Sequence, residues 1–128
     1  LGGLFRLIDA NLNRLKEGIR VVEDISRFIL NNGEIALTLK EIRHLATPQN
    51  NESSKYLKFR NVSGDPLKKS LQSENKRKNI NDILIANLKR GQESARVLEE
   101  SFKLLDIEES EKYKHIRYKL YDLEFKFL

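Results

Sequence analysis

Ala10-Asn11-Leu12-Asn13-Arg14-Leu15-Lys16-Glu17-Gly18-Ile19-Arg20-Val21-Val22-Glu23-Asp24 is written twice in this chain. The second copy is Ala86-Asn87-Leu88-Lys89-Arg90-Gly91-Gln92-Glu93-Ser94-Ala95-Arg96-Val97-Leu98-Glu99-Glu100. Ala, Asn, Leu, Arg, Glu, Arg, Val and Glu recur in the same order and at the same spacing. A fainter echo follows each copy, Lys40-Glu41-Ile42-Arg43-His44 and Lys114-His115-Ile116-Arg117-Tyr118. Two copies are too few for a solenoid. They point to a helix pair duplicated into a pseudo-symmetric bundle.

The repeated unit reads as helix. Leu4, Leu7, Ile8, Leu15, Val22, Ile25 and Ile29 fall on one face at about 100° per residue. Written as a heptad, the seam of the first copy runs Leu4, Asn11, Gly18, Ile25, flanked by Leu7/Ile8, Arg14/Leu15, Val21/Val22 and Phe28/Ile29. The second copy gives Ile80, Asn87, Ser94 and Ser101, with Arg90 in the place of Arg14. Asn and Arg therefore sit twice where a bundle expects leucine, beside a small residue that leaves space. Glu17 and Glu93 stand one turn on from each Arg. A buried polar group without a partner costs a few kcal/mol, so these side chains require partners. The pattern places a polar hole in the core.

Working outward, the spacing predicts a first helix over 4–30, stopped by Asn31-Asn32-Gly33, whose Asn-Gly offers a left-handed turn. A second helix over 34–46 is expected to turn Leu37, Ile42 and Leu45 inward and to end at Pro48. The stretch 48–78 has no long periodic segment, and such connections are usually functional. Within it a short helix is expected at 53–59, then turn chemistry at 61–66 in which Gly64 permits positive φ. A third long helix over 81–105 would be capped by Asn79 or Asn81, and a fourth would span 108–125. The fourth has two apolar stripes: Ile116, Leu120, Leu123 and Phe127, and Tyr121, Phe125 and Leu128. One belongs to the core, and the other predicts a dimer partner or a following domain. The expectation is one all-α domain over 1–128, a bundle of four main helices with halves at about 4–47 and 79–126.

Composition narrows the function classes. The 128 residues include no cysteine, so neither a disulfide framework nor a thiolate metal site is present. No stretch has the length of a membrane span and no signal peptide is evident, which makes the cytoplasm the expected location and excludes a membrane partner. The absence of Met and the start at Leu1-Gly2-Gly3 suggest a chain lacking its own beginning. Much of the net charge of +5 sits in Lys68, Lys69, Lys76, Arg77 and Lys78. That run lacks the interleaved aromatics of a single-strand binder and matches no DNA-binding helix, so no nucleic-acid partner is expected.

No phosphate loop, dinucleotide fingerprint or H-E-x-x-H motif is present. What remains is Asn11, Arg14, Asn87 and Arg90 on the duplicated seams, with Glu17 and Glu93 beside them. Arg43, His44, Arg60, Asp65 and Arg77 are the further candidates from the echo and the loop. Arginine forks match phosphate geometry, amides hold a ring edge, and carboxylates hold Mg²⁺. Phosphoryl transfer needs chiefly positioning and positive charge. The competing reading is a closed lattice that binds nothing, with Arg14 paired to Glu93 and Arg90 to Glu17.

Arg6-Leu7-Ile8-Asp9-Ala10-Asn11-Leu12-Asn13-Arg14, running through Glu17-Gly18-Ile19-Arg20-Val21-Val22-Glu23-Asp24 to Arg27-Phe28, resembles the opening of a bacterial thiamine-biosynthesis family. That family is the monofunctional hydroxymethylpyrimidine phosphate kinase, often fused ahead of thiamine phosphate synthase. Leu39 to His44, Arg60 with Gly64-Asp65-Pro66, Arg77 with Ile80, the second copy of the repeat, and Ile116-Arg117-Tyr118 with Leu120 to Glu124 are similar to its later motifs. Leu67 departs from the glycine often found after the Asp-Pro pair. The resemblance implies phosphorylation of hydroxymethylpyrimidine phosphate to its diphosphate with ATP and Mg²⁺, but no action on the free alcohol. Partners would be the phosphorylated pyrimidine and ATP, a thiamine phosphate synthase domain, and a second copy in a homodimer. On this reading Arg14 and Arg90 clamp phosphates, Arg60 and Arg77 close over them, and Asn11 and Asn87 orient the ring or a phosphate oxygen. Arg43 and His44 would also bind substrate. Asp65, Glu17 or Glu93 would hold Mg²⁺ or accept the hydroxyl proton. The alternative is a non-catalytic helical module that docks on the synthase or dimerises.

Overall fold

Side chains that satisfy helix ends set the element boundaries. The computed structural model describes residues 1–48, 53–69 and 76–127, and these contain α1 (Gly2–Phe28), α2 (Gly33–Leu45), the short α3 (Ser53–Leu57), α4 (Ile80–Phe102) and α5 (Ile107–Lys126). Asn32 Oδ1 accepts from the Ile35 N–H at 3.1 Å, Asn79 Oδ1 from Asp82 at 2.9 Å and Asp106 Oδ1 from Glu108 at 3.0 Å. Each satisfies an orphan donor and stabilises its helix by about 1 kcal/mol. Asn79, not Asn81, thus caps α4. At the end of α1 the left-handed residue is Asn31, with φ 54°, while Gly33 is already the first residue of α2. Asparagine tolerates that region because its short polar side chain bonds locally.

The duplicated pair is real in three dimensions. α1 and α4 pack together at the centre, α2 lies on α1, and α5 lies on α4. The central two run antiparallel: Tyr56 of α3 sits edge-on to Phe5 at the start of α1 and to Phe102 at the end of α4. Ile8, Leu15, Leu39, Leu98, Ile116 and Leu120 are among the fully buried side chains of one shared core. The fainter echo also acquires a reason. Arg43 donates to Glu23 at 2.7 and 3.3 Å, and Arg117 donates to Glu99 at 3.3 and 3.0 Å. Glu23 and Glu99 are the same place in the two repeats, so each half carries one ion pair, closed on a buried glutamate, that ties its second helix to its first.

Gly18 is small for a different purpose from the one its spacing suggests. A Cβ there would lie 3.0 Å from the Asn87 carbonyl oxygen and 3.5 Å from the Gly91 nitrogen, so glycine lets α1 and α4 approach backbone to backbone. Gly91 instead makes room for a side chain, the Leu120 Cδ1, which would be 3.1 Å from an added Cβ.

Several expectations need correction. In α2 the inward positions are Ala36, Leu39 and Ile42, whereas Leu37 and Leu45 are exposed. The i, i+3 row that meets α1 begins at Ala36, and Leu37 and Leu45 lie to one side of it. α1 ends at Phe28, and Phe28, Ile29 and Leu30 are exposed, because the chain turns back into α2 there. α4 stops at Phe102, leaving Leu104 in the exposed turn before α5. Gly64 does not take positive φ. Its N–H instead donates to Asn61 Oδ1 at 2.8 Å, and a Cβ would run into that same side chain. In α5 the stripe of Ile116, Leu120 and Leu123 is buried, while Tyr121 and Phe125 are exposed. Leu128, assigned to the second stripe, lies outside the described residues, as do 49–52 and 70–75 of the connecting segment.

Candidate functional site

The facing seams of α1 and α4 enclose a cavity of about 610 Å³ whose lining is the repeat itself. Asn11 faces it with Asn87, Arg14 with Arg90, Glu17 with Glu93, Gly18 with Ser94 and Val21 with Val97. The two asparagines are buried, and each survives there by the same local bond. Asn11 Nδ2 donates to the Leu7 carbonyl at 3.0 Å and Asn87 Nδ2 to the Ile83 carbonyl at 2.9 Å. Among the described residues neither Oδ1 takes a hydrogen bond, so both amide oxygens remain as acceptors. Arg14, Arg90, Glu17 and Glu93 are exposed at the cavity wall. Among the described residues none of the four forms an ion pair or hydrogen bond. The Arg14–Glu93 and Arg90–Glu17 lattice is therefore not formed. Two guanidinium forks stand available over a concave surface.

A second cleft of about 450 Å³ opens from the same place, sharing Asn11 and Arg14 with the first. The segment after α3 makes its far wall, through Arg60, Asn61, Val62, Asp65 and Pro66. Two bonds fasten that segment to α1. Arg60 grips the buried carboxylate of Asp9 in a bidentate fork at 2.7 and 2.9 Å, and Arg6 Nη2 donates to the Asn61 carbonyl at 3.0 Å. The Asp9 hydrogen bonds, with the Asp9 and Glu17 charges behind them, raise the Arg60 pKa above its ordinary value. Asp65 Oδ1 accepts from the Leu67 N–H at 2.9 Å, which shapes the turn at the rim.

The structure thus gathers Asn11, Arg14, Glu17, Asn87, Arg90 and Glu93 in one cavity and adds Arg60 and Asp65 in the adjoining cleft. It does not bring the other candidates there. Arg43 is held by Glu23, which raises its pKa through their hydrogen bond, and it lines neither chamber. His44 is exposed on the last turn of α2, also outside both. Arg77 lies outside both, its Nη1 donating to the Lys76 carbonyl at 2.8 Å. Sequence reasoning missed Arg6, Asp9, Asn13 and Asn61 as site residues. Arg6, Asp9 and Asn13 do follow one helical row at i, i+3 and i+7, which was the available signal. The Asp9–Arg60 partnership spans 51 residues and left no local trace.

Among the described residues no three His, Cys, Asp or Glu side chains converge on a metal position. Asp65 lies in the cleft, apart from Glu17 and Glu93 in the cavity. This donor set does not make a protein cage. It fits Mg²⁺ of the kind held by one or two carboxylates and by substrate phosphates.

Residues 6–126 match the ThiD2 family. This chain belongs to the ThiD2 family. The ThiD2 match spans both copies of the repeat, both echoes and the loop that walls the cleft. Among curated proteins the chain is similar to thiamine-phosphate synthase of Nostoc punctiforme, at 36% identity over 122 residues, 94% of this chain and 34% of that protein. It is similar also to thiamine-phosphate synthase of Thermosynechococcus vestitus, at 38% identity over 122 residues, with the same coverage of 94% and 34%. The chain spans about a third of the length of these relatives. No solved structure matches it. Among the described residues no helix is long and apolar enough to cross a membrane.

Proposed function

We propose that this ThiD2 chain serves thiamine biosynthesis by phosphorylating hydroxymethylpyrimidine phosphate to the diphosphate, with ATP as donor. The observation that carries the reading is the pair of symmetry-related arginines, Arg14 and Arg90, which line one cavity and have no partner among the described residues. Two ligands rich in phosphate would supply what those cations lack. The family match and the thiamine-phosphate synthase relatives support the pathway.

The chemistry asks little of the protein beyond placement. An oxygen of the acceptor phosphate forms a bond to the γ-phosphorus of ATP. The bond from that phosphorus to the bridging β,γ-oxygen breaks, and its electron pair leaves with ADP. A phosphate monoester is largely dianionic near neutral pH, so the nucleophile arrives without its proton and no general base is required. Glu17 and Glu93 are therefore better suited to Mg²⁺ than to taking a proton, and bound Mg²⁺ would neutralise charge on the transferring group. Arg14 and Arg90 orient the two phosphate groups toward one another, and the Asn11 and Asn87 amide oxygens accept from donor groups on the ligands.

The same cations supply selectivity. A free alcohol forgoes the charge-assisted bonds to one of them, so it should be turned over at least about tenfold less well than the monophosphate. The test is an ADP-release assay with ATP, Mg²⁺ and either the pyrimidine monophosphate or the free alcohol. ADP and diphosphate with the first alone support the reading; no ADP with either removes it. A second reading has its own observation. Tyr118, Tyr121 and Phe125 leave an aromatic face of α5 exposed, which suits a module that docks on a synthase domain or pairs with a second copy. A chain that forms no ADP but co-elutes stably with the synthase domain would favour it.

A further inference from the structure

The central cavity is nearly symmetric, but its surroundings are not, and the difference divides the two substrates between the halves. On the α1 side the cavity continues into the cleft walled by the segment after α3. The α4 half has no counterpart among the described residues. Where the first copy has Arg6 and Asp9, the corresponding positions of the second hold Asp82 and Ile85. Asp82 is occupied in the first turn of α4, its Oδ2 accepting from the Lys78 N–H at 3.0 Å. Ile85 offers nothing to an arginine. Among the described residues the cleft is therefore a feature of the α1 side alone.

Resting on the kinase reading above, we infer that the cleft between α1 and the Arg60–Pro66 segment binds the phosphoryl acceptor, a small heteroaromatic ring carrying one phosphate. The nucleotide polyphosphate then takes the central cavity from the Arg90 side. Leu7, Ala10, Val62 and Pro66 give the cleft apolar walls, and the Asn13 amide and the Asn61 Nδ2, whose Oδ1 is taken by the Gly64 N–H, give it groups for a ring edge. Arg60 spends Nε and Nη2 on Asp9, which leaves Nη1 and the flat guanidinium surface for a stacked ring. Arg14 is the one arginine common to both chambers. A ring seated in the cleft thereby sends its phosphate to Arg14, at the threshold of the cavity where the donor phosphates lie. Arg60 becomes the residue that determines acceptor specificity, and Asp9 the residue that positions it.

Equilibrium binding separates this assignment from the kinase reading, because it requires no turnover. Dissociation constants for the pyrimidine monophosphate and, separately, for a non-hydrolysable ATP analogue with Mg²⁺ are measured on the wild-type, Arg60→Ala and Arg90→Ala chains. Removing the Arg60 contacts should weaken the pyrimidine phosphate by roughly tenfold or more and change the nucleotide by less than about twofold. Arg90→Ala should do the reverse. Arg60→Lys guards against loss of fold, since it keeps a cation opposite Asp9 while removing the fork and the flat face, and it should weaken the acceptor with a smaller fall in Tm than Arg60→Ala. Wild-type binding of the pyrimidine phosphate that survives both Arg60 substitutions overturns the subsite and leaves the kinase reading standing. Nucleotide binding lost with Arg60 and acceptor binding lost with Arg90 reverses the assignment. A wild-type chain that binds neither ligand removes the kinase reading itself.

Discussion

At the scale of single residues, two arginines from similar helical settings have opposite fates, and the difference is a matter of partners. Arg43 closes a fork on Glu23, whose side chain is 5% exposed. Arg14 meets no partner among the described residues and lines both chambers. Arg43→Ala strands a buried carboxylate, and breaking a buried pair is strongly unfavourable. Because Arg43 is itself part-exposed, the expected cost is about 2–3 kcal/mol. A calorimetric Tm should fall while the KM values of the surviving folded protein stay unchanged. Arg14→Ala should leave Tm where it is and lower kcat/KM for diphosphate formation by about a hundredfold or more, the loss typical of removing one strong donor to a reacting group. Full turnover in that variant would take Arg14 out of the site. The polar seam was legible in the sequence, because Asn and Arg recur together on the inner face of a repeat; that only the asparagines are buried, with both arginines exposed at the cavity wall, was not. Which arginines were spoken for was not. Arg43 and Arg60 both find carboxylates far away in sequence, and no local pattern distinguishes them from Arg14 and Arg90.

At the scale of elements, the close approach of α1 to α4 shapes the cavity. Gly18→Ala would push a methyl against the Asn87 carbonyl, which is backbone and cannot swing aside. Separating the helices should cost about 1–3 kcal/mol and lower nucleotide affinity through the displaced Asn87. Ser94→Ala, its counterpart in the second half, should change Tm little. The α4–α5 contact carries a pH dependence. Burial pushes the Glu124 carboxyl up, but hydrogen bonds from Lys89 and from Gln92 at 3.0 Å, together with the Lys89 charge, outweigh it and hold the pKa below its ordinary value. The folded pKa thus lies below the unfolded one. This contribution is complete above the ordinary carboxylate range, near pH 4.3, and fades as pH falls through the lowered value. Glu124→Gln should melt below wild type at pH 7, and the gap should close as pH falls through the lowered Glu124 pKa. A gap that persisted in acid would show that Glu124 acts by packing alone. Helix existence was readable, and so was the α4 cap at Asn79, whereas the caps at Asn32 and Asp106 came from the structure. The face of α2 was not, because Leu37 and Leu39 are equally apolar and only the contact with α1 chooses between them.

At the scale of the whole molecule, duplication explains both the architecture and the site. One helix pair, used twice and joined at its first helices, puts the same polar residues on both sides of one cavity. The loop between the halves, fastened to α1, then makes the two sides unequal. If that account holds, the second half is as necessary to the chemistry as the first, although among the described residues it has no cleft of its own. Arg90 is the side chain that isolates this claim, since it lines only the central cavity and has no protein partner among the described residues. The decisive measurement is therefore kcat/KM for ATP-dependent diphosphate formation in Arg90→Ala beside wild type, with Tm recorded for both. A loss of about a hundredfold or more at unchanged Tm is what the shared cavity predicts, and an Arg90→Ala chain that turns over like wild type would contradict it.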